Sequence, residues 1–460
     1  MTKALEDLTV LEITDDKGMY AGKLLADMGA TVILIEPPTG HAARHVGPFA
    51  SNIPDLNSSL LFWYNNTNKK STTVDIQTDT GASIVRDLVK SVDIVIESTP
   101  PGYLESLGLG YSQLSEINPK LIMTSITPFG QTGPYRNYEA SNLVLMAMSG
   151  IMNSCGYDDL PGSPPISCDG LQGYATGCNL AVIATLTALY HRDINQEGQW
   201  IDCSIYEALS GTTEAAMPNW YFNKQTPFRQ TGRHHGVVAT PSTQYESGDG
   251  KLINGFDIPP RTVARWDALI SWMDETGMAK ELKDDSFRQM IRERSRDKDK
   301  IDIIVLRVRE FIKSMPAEEA YHRAQQIRLA WAIIRSPEET LQDPHFAEDR
   351  QFFGEVHHPE TQQSYKYPGA PYKFHKTPWS IDRRAPLLGE DTLQVLHDLL
   401  SFTPEDLVLL SESRVIYARF YGYFPARNAP NYDCNRRVIA RTRRFPYSER
   451  TTRTAFTFQN

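Results

Sequence analysis

The alternation of short apolar strands with helical stretches over the first 125 residues constrains this chain more than any other feature. Leu8 to Ile13 reads as a strand, Tyr20 to Met28 as a helix closed by Gly29, and Thr31 to Glu36 as a second strand ending in an acid. Together they make a βαβ unit. Thr72 to Ile76, Asp93 to Glu97 and Leu121 to Ser125 add strands, with helices such as Ala82 to Lys90 between them. Parallel strands joined by right-handed crossovers form a doubly wound sheet, so the expected large domain is α/β. The first turn, Thr14-Asp-Asp-Lys-Gly-Met-Tyr20, lacks the glycines that let backbone approach a pyrophosphate, which disfavours a dinucleotide site.

A second region begins near residue 225. Tyr245-Glu-Ser-Gly-Asp-Gly-Lys-Leu-Ile253 places a polar turn between two extended segments, and Ile301 to Lys313 and Ala317 to Leu329 are charged amphipathic helices. Extended segments marked by Pro344, Pro359, Pro368, Pro371 and Pro378 then carry the chain back, and Leu387 to Leu400 reads as a closing helix. The expected division is a large domain over 1–224, a smaller α/β domain over 225–345, a return segment over 346–416 and a tail over 417–460. That tail holds nine Arg against two acids in a chain whose net charge is −9, so the body is strongly acidic. Nucleic acid is not an expected partner of such a body. The tail lacks an apolar period and is expected to lie outside the fold.

No apolar stretch reaches the length of a bilayer span, and Met1-Thr-Lys-Ala-Leu-Glu6 lacks a signal-peptide core, so a cytoplasmic protein without a membrane partner is expected. Five cysteines, Cys155, Cys168, Cys178, Cys203 and Cys434, show no metal-ligand spacing and read as reduced thiols. No metal site is expected.

Chemistry concentrates between Pro165 and Ala208. Leu171 to His191 reads as an almost wholly apolar helix with small residues at Gly173, Ala175, Gly177, Ala181 and Ala184, and Gln199 to Ile205 reads as a strand; both are expected in the core. Asp169 stands just ahead of that helix, where unpaired backbone N–H groups and the helix dipole favour a carboxylate that caps, binds or attacks. As an ordinary N-cap it would contribute about 1 kcal/mol to the helix.

The stretch from Cys168 to Glu207 resembles the family III CoA-transferases, the group that includes formyl-CoA transferase and carnitine CoA-transferase. The resemblance rests on Asp169, Arg192, Gly198-Gln199 and Ser204-Ile-Tyr-Glu-Ala208, and on motifs in the family's order elsewhere. These include Leu24-Leu-Ala-Asp-Met-Gly-Ala30, Arg44, Asn68-Lys69, Pro101-Gly102, Gly130-Gln-Thr-Gly-Pro134, Asp343-Pro-His-Phe346 and Arg384-Ala-Pro-Leu-Leu-Gly-Glu390. The likeness covers roughly residues 5 to 416.

The resemblance implies an enzyme that moves CoA from an acyl-CoA to a free carboxylic acid, with coenzyme A as substrate and no permanently bound cofactor. Asp169 takes the nucleophile's role in it. Arg44, Asn68, Lys69, Lys70 and Ser98 fall where the family contacts CoA, although Ser98 and Ser106 replace an Asn and an Arg of formyl-CoA transferase. The lid segment corresponds to Gln230-Thr-Gly-Arg-His-His-Gly236, which makes Gly232, Arg233, His234, His235 and Gly236 candidates for closing over the substrate. The family's subunits form interlocked dimers, so a homodimer is implied. An α-methylacyl-CoA racemase is the rival within the same fold, but its second base falls on Ser141, which cannot take a proton. A non-catalytic CoA-binding subunit is the other alternative.

Overall fold

The computed structural model describes residues 2–213, 216–233 and 235–418. His234 and the tail beyond Ala418 lie outside the described residues. Six strands form one parallel sheet: β1 (Thr9–Ile13), β2 (Thr31–Glu36), β3 (Lys70–Thr73), β4 (Ile94–Glu97), β5 (Ile122–Thr127) and β6 (Gln199–Ser204). Their order is β3-β2-β1-β4-β5-β6. The order reverses between β1 and β4, where the chain switches from building leftward to building rightward. The expected doubly wound α/β fold is therefore present.

Two groups of helices flank this sheet. In one, α1 (Met19–Asp27) packs on the long helix running from Gln172 to Asn195; in the other, α2 (Asp79–Val89) packs on the helix over Tyr111–Ile117. Leu25, Val10, Val32, Ile94 and Ile122 lie in the core between the sheet and the first group. Strand β3 starts two residues earlier than the Thr72 to Ile76 expected. Its early residues Lys70 and Ser71 pair with Ile33 and Leu34, whereas the Asp75 N–H leaves the sheet to bond Val415 O at 2.7 Å.

A three-stranded antiparallel sheet, ordered β7-β8-β9, follows. It comprises β7 (Gln244–Glu246), β8 (Leu252–Gly255) and β9 (Trp331–Ile333). Trp266, Trp272, Phe311 and Trp331 fill the core between this sheet and its helices. The segment after it forms a hairpin of β10 (Phe353–His358) and β11 (Gln363–Pro368). Val356 and Tyr367 of the hairpin pack with Phe62 and Trp63 of the large-sheet region.

Residues 380–392 then cover the edge of β3, an edge that would otherwise expose unpaired backbone groups. Asp391 donates its N–H to Ser71 O and accepts the Ser71 N–H on Oδ2, both at 2.9 Å. Thr392 Oγ1 accepts from Thr73 N at 3.0 Å.

A fully buried ion pair ties these parts together. Arg44 is 1% exposed, and its Nε and Nη2 grip both oxygens of Glu36 at 2.7 Å. Nη2 also donates to Pro386 O at 3.1 Å. Nη1 donates to Leu56 O at 3.1 Å and Asn57 Oδ1 at 3.3 Å. Removing one member of such a pair strands a buried charge and costs about 3–5 kcal/mol. Arg44→Ala should lower the free energy of urea unfolding by that amount; an unchanged midpoint and slope would show that the pair is dispensable.

Candidate active site

The crevice outside the carboxyl ends of the strands, at the switch point of an open α/β sheet, is where ligands collect in this architecture. Here it is a pocket of about 240 Å³ lined by Thr14 and Asp15 after β1, Pro37 after β2, Gln77 beyond β3, and Ser98, Thr99 and Tyr103 after β4. Ser98, a residue singled out from the sequence, is in this wall. Its hydroxyl donates to Asp15 Oδ1 at 2.7 Å and accepts the Asp15 N–H at 2.8 Å, so it joins the ends of β1 and β4.

The other candidate CoA contacts are placed differently. All five N–H donors of Arg44 are occupied by the contacts above. Lys69 spends its three donors on Glu12 Oε1 at 2.8 Å, Met19 O at 2.7 Å and Asn66 Oδ1 at 2.9 Å. Asn68 donates to Asp27 Oδ1 and Ser380 O and accepts from Asp382 N and Arg383 N, which fills its amide. In this conformation none of the three has a donor left for a phosphate. Lys70 is half-buried on β3 and enters no ion pair among the described residues.

These cations had an overlooked sequence signal. An acid inside an apolar strand, Glu12 in Thr9-Val-Leu-Glu-Ile13 or Glu36 closing β2, requires a buried cation to stay paired. Lys69 and Arg44 answer that requirement.

Asp169 is not among the residues that line the crevice and stands ahead of the helix over Gln172–Asn195. The helix α3 (Asn142–Met148) precedes it in sequence, and the 172–195 helix is numbered α4 from here on. Asp169 is exposed, and its Oδ1 accepts the Gly170 N–H at 2.7 Å. It is not the N-cap of α4: the cap position is Leu171, which has no side chain to offer. The acceptor for the first turn is Asn142 Oδ1, reached by Gly173 N at 2.9 Å and Tyr174 N at 3.3 Å. Gly170 adopts φ +77°, a left-handed turn that glycine enters without strain and that lifts Asp169 away from the helix start. Cys178, farther along α4, points its Sγ at Lys17 O at 3.2 Å, which rests the Thr14–Gly18 turn of the crevice on the same helix.

The described lid candidates, Gly232, Arg233, His235 and Gly236, lie in a hairpin loop closed by a bridge between Phe228 and Gly236. Phe228 and Gly236 exchange backbone hydrogen bonds, the shorter at 2.9 Å. Arg233 bonds Gln230 Oε1 at 2.8 Å and Asp158 Oδ2 at 3.1 Å, and Thr231 N donates to Asp158 Oδ1 at 2.7 Å. The segment with Gly232, Arg233, His235 and Gly236 is thereby joined to the loop that leads into Asp169. Ser141, where the racemase would carry its base, is the N-cap of α3, accepting from Val144 N at 3.4 Å. Among the described residues no cluster of His, Cys, Asp and Glu has the makings of a metal site, and no helix is long and apolar enough to cross a membrane.

The sheet order and its crevice define an α/β protein of the doubly wound class. The sequence model of CoA-transferase family III matches residues 5–392. The chain is 32% identical over 389 residues to the succinyl-CoA:(R)-benzylsuccinate CoA-transferase subunit BbsE of Thauera aromatica, covering 84% of this chain and 92% of that protein. It is 31% identical over 418 residues to the succinyl-CoA–D-citramalate CoA-transferase of Chloroflexus aurantiacus, covering 90% and 98%. Among solved structures, a CaiB/BaiF family protein from Brucella suis superposes with a TM-score of 0.72 at 26% identity, over 87% of this chain and 100% of that one. The chain belongs to CoA-transferase family III, and its reaction class is CoA transfer.

His41, whose backbone N–H bonds Glu36 Oε2 at 2.9 Å, is a buried imidazole. Burial drives its pKa down to about 4 from 6.5; Glu36 opposes this and Lys69 reinforces it, with smaller effects from Asp15 and Arg44. Between those values the unfolded chain binds a proton that the folded one refuses, so stability falls as pH drops from about 6.5 to about 4 and levels off below. His358 follows the same direction. His41→Asn keeps an acceptor for the Ala43 N–H that His41 Nδ1 holds at 3.0 Å. It should flatten the loss of thermal stability across that window; a slope equal to the parent's would remove His41 as its source.

Proposed function

We propose that this protein transfers CoA from an acyl-CoA to a free carboxylic acid through Asp169. The observation that carries this reading is an exposed carboxylate with one oxygen held by Gly170 and the other unengaged among the described residues, released from capping duty at the start of α4. Asp169 Oδ2 attacks the thioester carbonyl, forming a mixed anhydride as the C–S bond breaks and CoA thiolate departs. The thiolate then attacks the aspartyl carbonyl, leaving an aspartyl-CoA thioester and freeing the donor's carboxylate. The acceptor carboxylate attacks this thioester and expels the thiolate, which takes the acceptor's acyl group and releases Asp169. One thioester replaces another, so the cycle balances without ATP, net proton transfer or a redox step.

In this reading the crevice by Ser98, Thr99, Gln77 and Tyr103 receives the nucleotide end of CoA. Arg44, Asn68 and Lys69 act as supports of its wall rather than phosphate ligands, and Lys70 remains the cation free to approach a phosphate. The hairpin of Gly232, Arg233, His235 and Gly236, with His234, closes over the acyl group. Succinyl-CoA is the proposed donor, following the succinyl-CoA-dependent relatives above. The enzyme works in the cytoplasm, with its thiols reduced.

Asp169→Ala and Asp169→Asn should abolish exchange between succinyl-CoA and a panel of carboxylic acids while circular dichroism stays that of the parent. Incubation with succinyl-CoA alone should leave hydroxylamine-sensitive CoA on Asp169, located by peptide mass spectrometry. Turnover near the parent's rate in either variant sinks the assignment. Exchange of the substrate α-proton with deuterium, without labelling, would favour the racemase.

The second copy of a homodimer is proposed to cover α4. That helix buries Gly173, Gly177, Cys178, Ala181 and Ala188 on one side. The other side bares Leu180, Ile183, Tyr190 and Ile194 at helical spacing, Tyr190 at 71% exposure and Ile194 at 62%. The neighbouring edge strand β6 bares Trp200. An apolar stripe of this length marks an interface. Light scattering should give twice the chain mass, and Ile183→Asp should shift the protein toward monomer; a monomeric parent would overturn the assembly, and dimers only with a different chain would point to the subunit arrangement that the name of the BbsE relative describes.

A further inference from the structure

Asn142 occupies the first position of α3 yet serves α4. Its Oδ1 accepts from Gly173 N at 2.9 Å and Tyr174 N at 3.3 Å, taking the place of the cap that Leu171 cannot supply. Its Nδ2 faces Gly170 O at the longer distance of 3.4 Å. Two N–H donors on one side of the amide and a carbonyl on the other fix which atom is oxygen. The approach is close enough that a Cβ at position 173 would lie 2.8 Å from Oδ1, so Gly173 is the residue that admits it.

Gly170 is also the residue whose N–H holds Asp169 Oδ1. Asn142 therefore holds, through the Gly170 carbonyl, the residue whose N–H holds the carboxylate. We propose that Asn142 is a positioning residue for Asp169: it pins the 169–170 turn to the start of α4, so that Oδ1 stays bound and Oδ2 faces the incoming thioester. This role rests on Asp169 being the nucleophile. A nucleophile displaced by a fraction of an ångström loses alignment with the carbonyl it attacks, and the loss appears in the chemical step rather than in substrate affinity.

Asn142→Asp separates positioning from helix capping. Aspartate caps a helix as well as asparagine does, so it retains both acceptor contacts to α4. It cannot donate to Gly170 O, and it sets a second carboxylate near Asp169. The parent, Asn142→Asp, Asn142→Ala and Asp169→Ala would be compared with succinyl-CoA for steady-state exchange, for rapid-quench formation of the enzyme-CoA thioester, and for melting temperature. Expected are a parental melting temperature for Asn142→Asp, a thioester formation rate lower by about 10-fold or more, and a KM for succinyl-CoA within about 2-fold of the parent.

Parental kcat in Asn142→Asp would reduce Asn142 to a helix cap and overturn the proposal, as would a rise in KM at unchanged kcat. If Asn142→Ala unfolds, Asn142→Asp still decides. Should Asp169→Ala exchange CoA as the parent does, the nucleophile assignment falls and this role with it. Inactive Asp169→Ala beside a fully active Asn142→Asp removes only the role of Asn142.

Discussion

The Arg44 guanidinium is the point at which distant parts of the chain are made to agree. Its five donors reach Glu36 at the end of β2, the 56–57 turn, and Pro386 in the segment that returns from the small sheet. A charge this deep tolerates no missing partner, because an unpaired ion in a low-dielectric interior is far less stable than one in water. The carboxyl of Glu36 shows the balance: burial pushes its pKa up, but Arg44 and the hydroxyl of Ser71 outweigh burial and hold it below the usual carboxylate value. Ser71 in turn accepts the Gly389 N–H at 2.8 Å. The end of β2, the middle of β3 and the return segment thus satisfy one another's polar groups.

That closure determines where a ligand can approach. With 380–392 laid along the edge of β3, Asp391 bonds both backbone groups of Ser71 and Thr392 accepts the Thr73 N–H, so ladder groups on that side are paired. An opening lies at the switch between β1 and β4, where the Ser98 and Asp15 contacts tie the two strand ends together. Lys69 and Glu12, 2.8 Å apart, lie behind that junction, with burial pushing the Glu12 carboxyl up and the Lys69 ammonium down against their mutual attraction. Gly22 shows how tightly α1 is fitted there, since a Cβ at that position would stand 1.8 Å from Glu12 Oε2. The crevice is a rigid floor built on buried ion pairs.

Much of this was legible in the sequence where the cause is local. Strands β1, β2, β4 and β5 follow apolar runs bounded by turn residues, and their ends fall within two residues of expectation. Strand β3 was displaced because its partner beyond Thr73 is Val415, some 340 residues away, and no local pattern records that. The same distance hid the fate of Asn68, whose amide is filled by Ser380, Asp382 and Arg383. A basic residue next to a strand reads equally well as a ligand for phosphate or a partner for a buried acid. The structure gives Arg44 and Lys69 the buried acids Glu36 and Glu12 as partners, and those acids inside apolar strands were a visible demand for cations. The long helix was expected wholly in the core because it is apolar nearly all round; half of it is exposed in a single chain, since apolarity states a need for burial and not which chain meets it.

Small residues resolve the competing demands on α4. Gly173 lets Asn142 approach, and at Gly177 a Cβ would come within 2.8 Å of Ile205. The inner face can therefore lie close to α3 and to the start of the helix after β6. The same closeness brings Cys178 against the Lys17 carbonyl, so the crevice turn and the Asp169 turn are both referenced to one rigid rod. A carboxylate carried on a free loop would wander by more than a chemical step tolerates, whereas one placed three residues before a 24-residue helix inherits that helix's rigidity. The outer face, free of that duty, keeps the large apolar side chains. The helix thus divides along its length into a face of small residues packed against α3 and the crevice turn and a face that keeps large apolar side chains exposed.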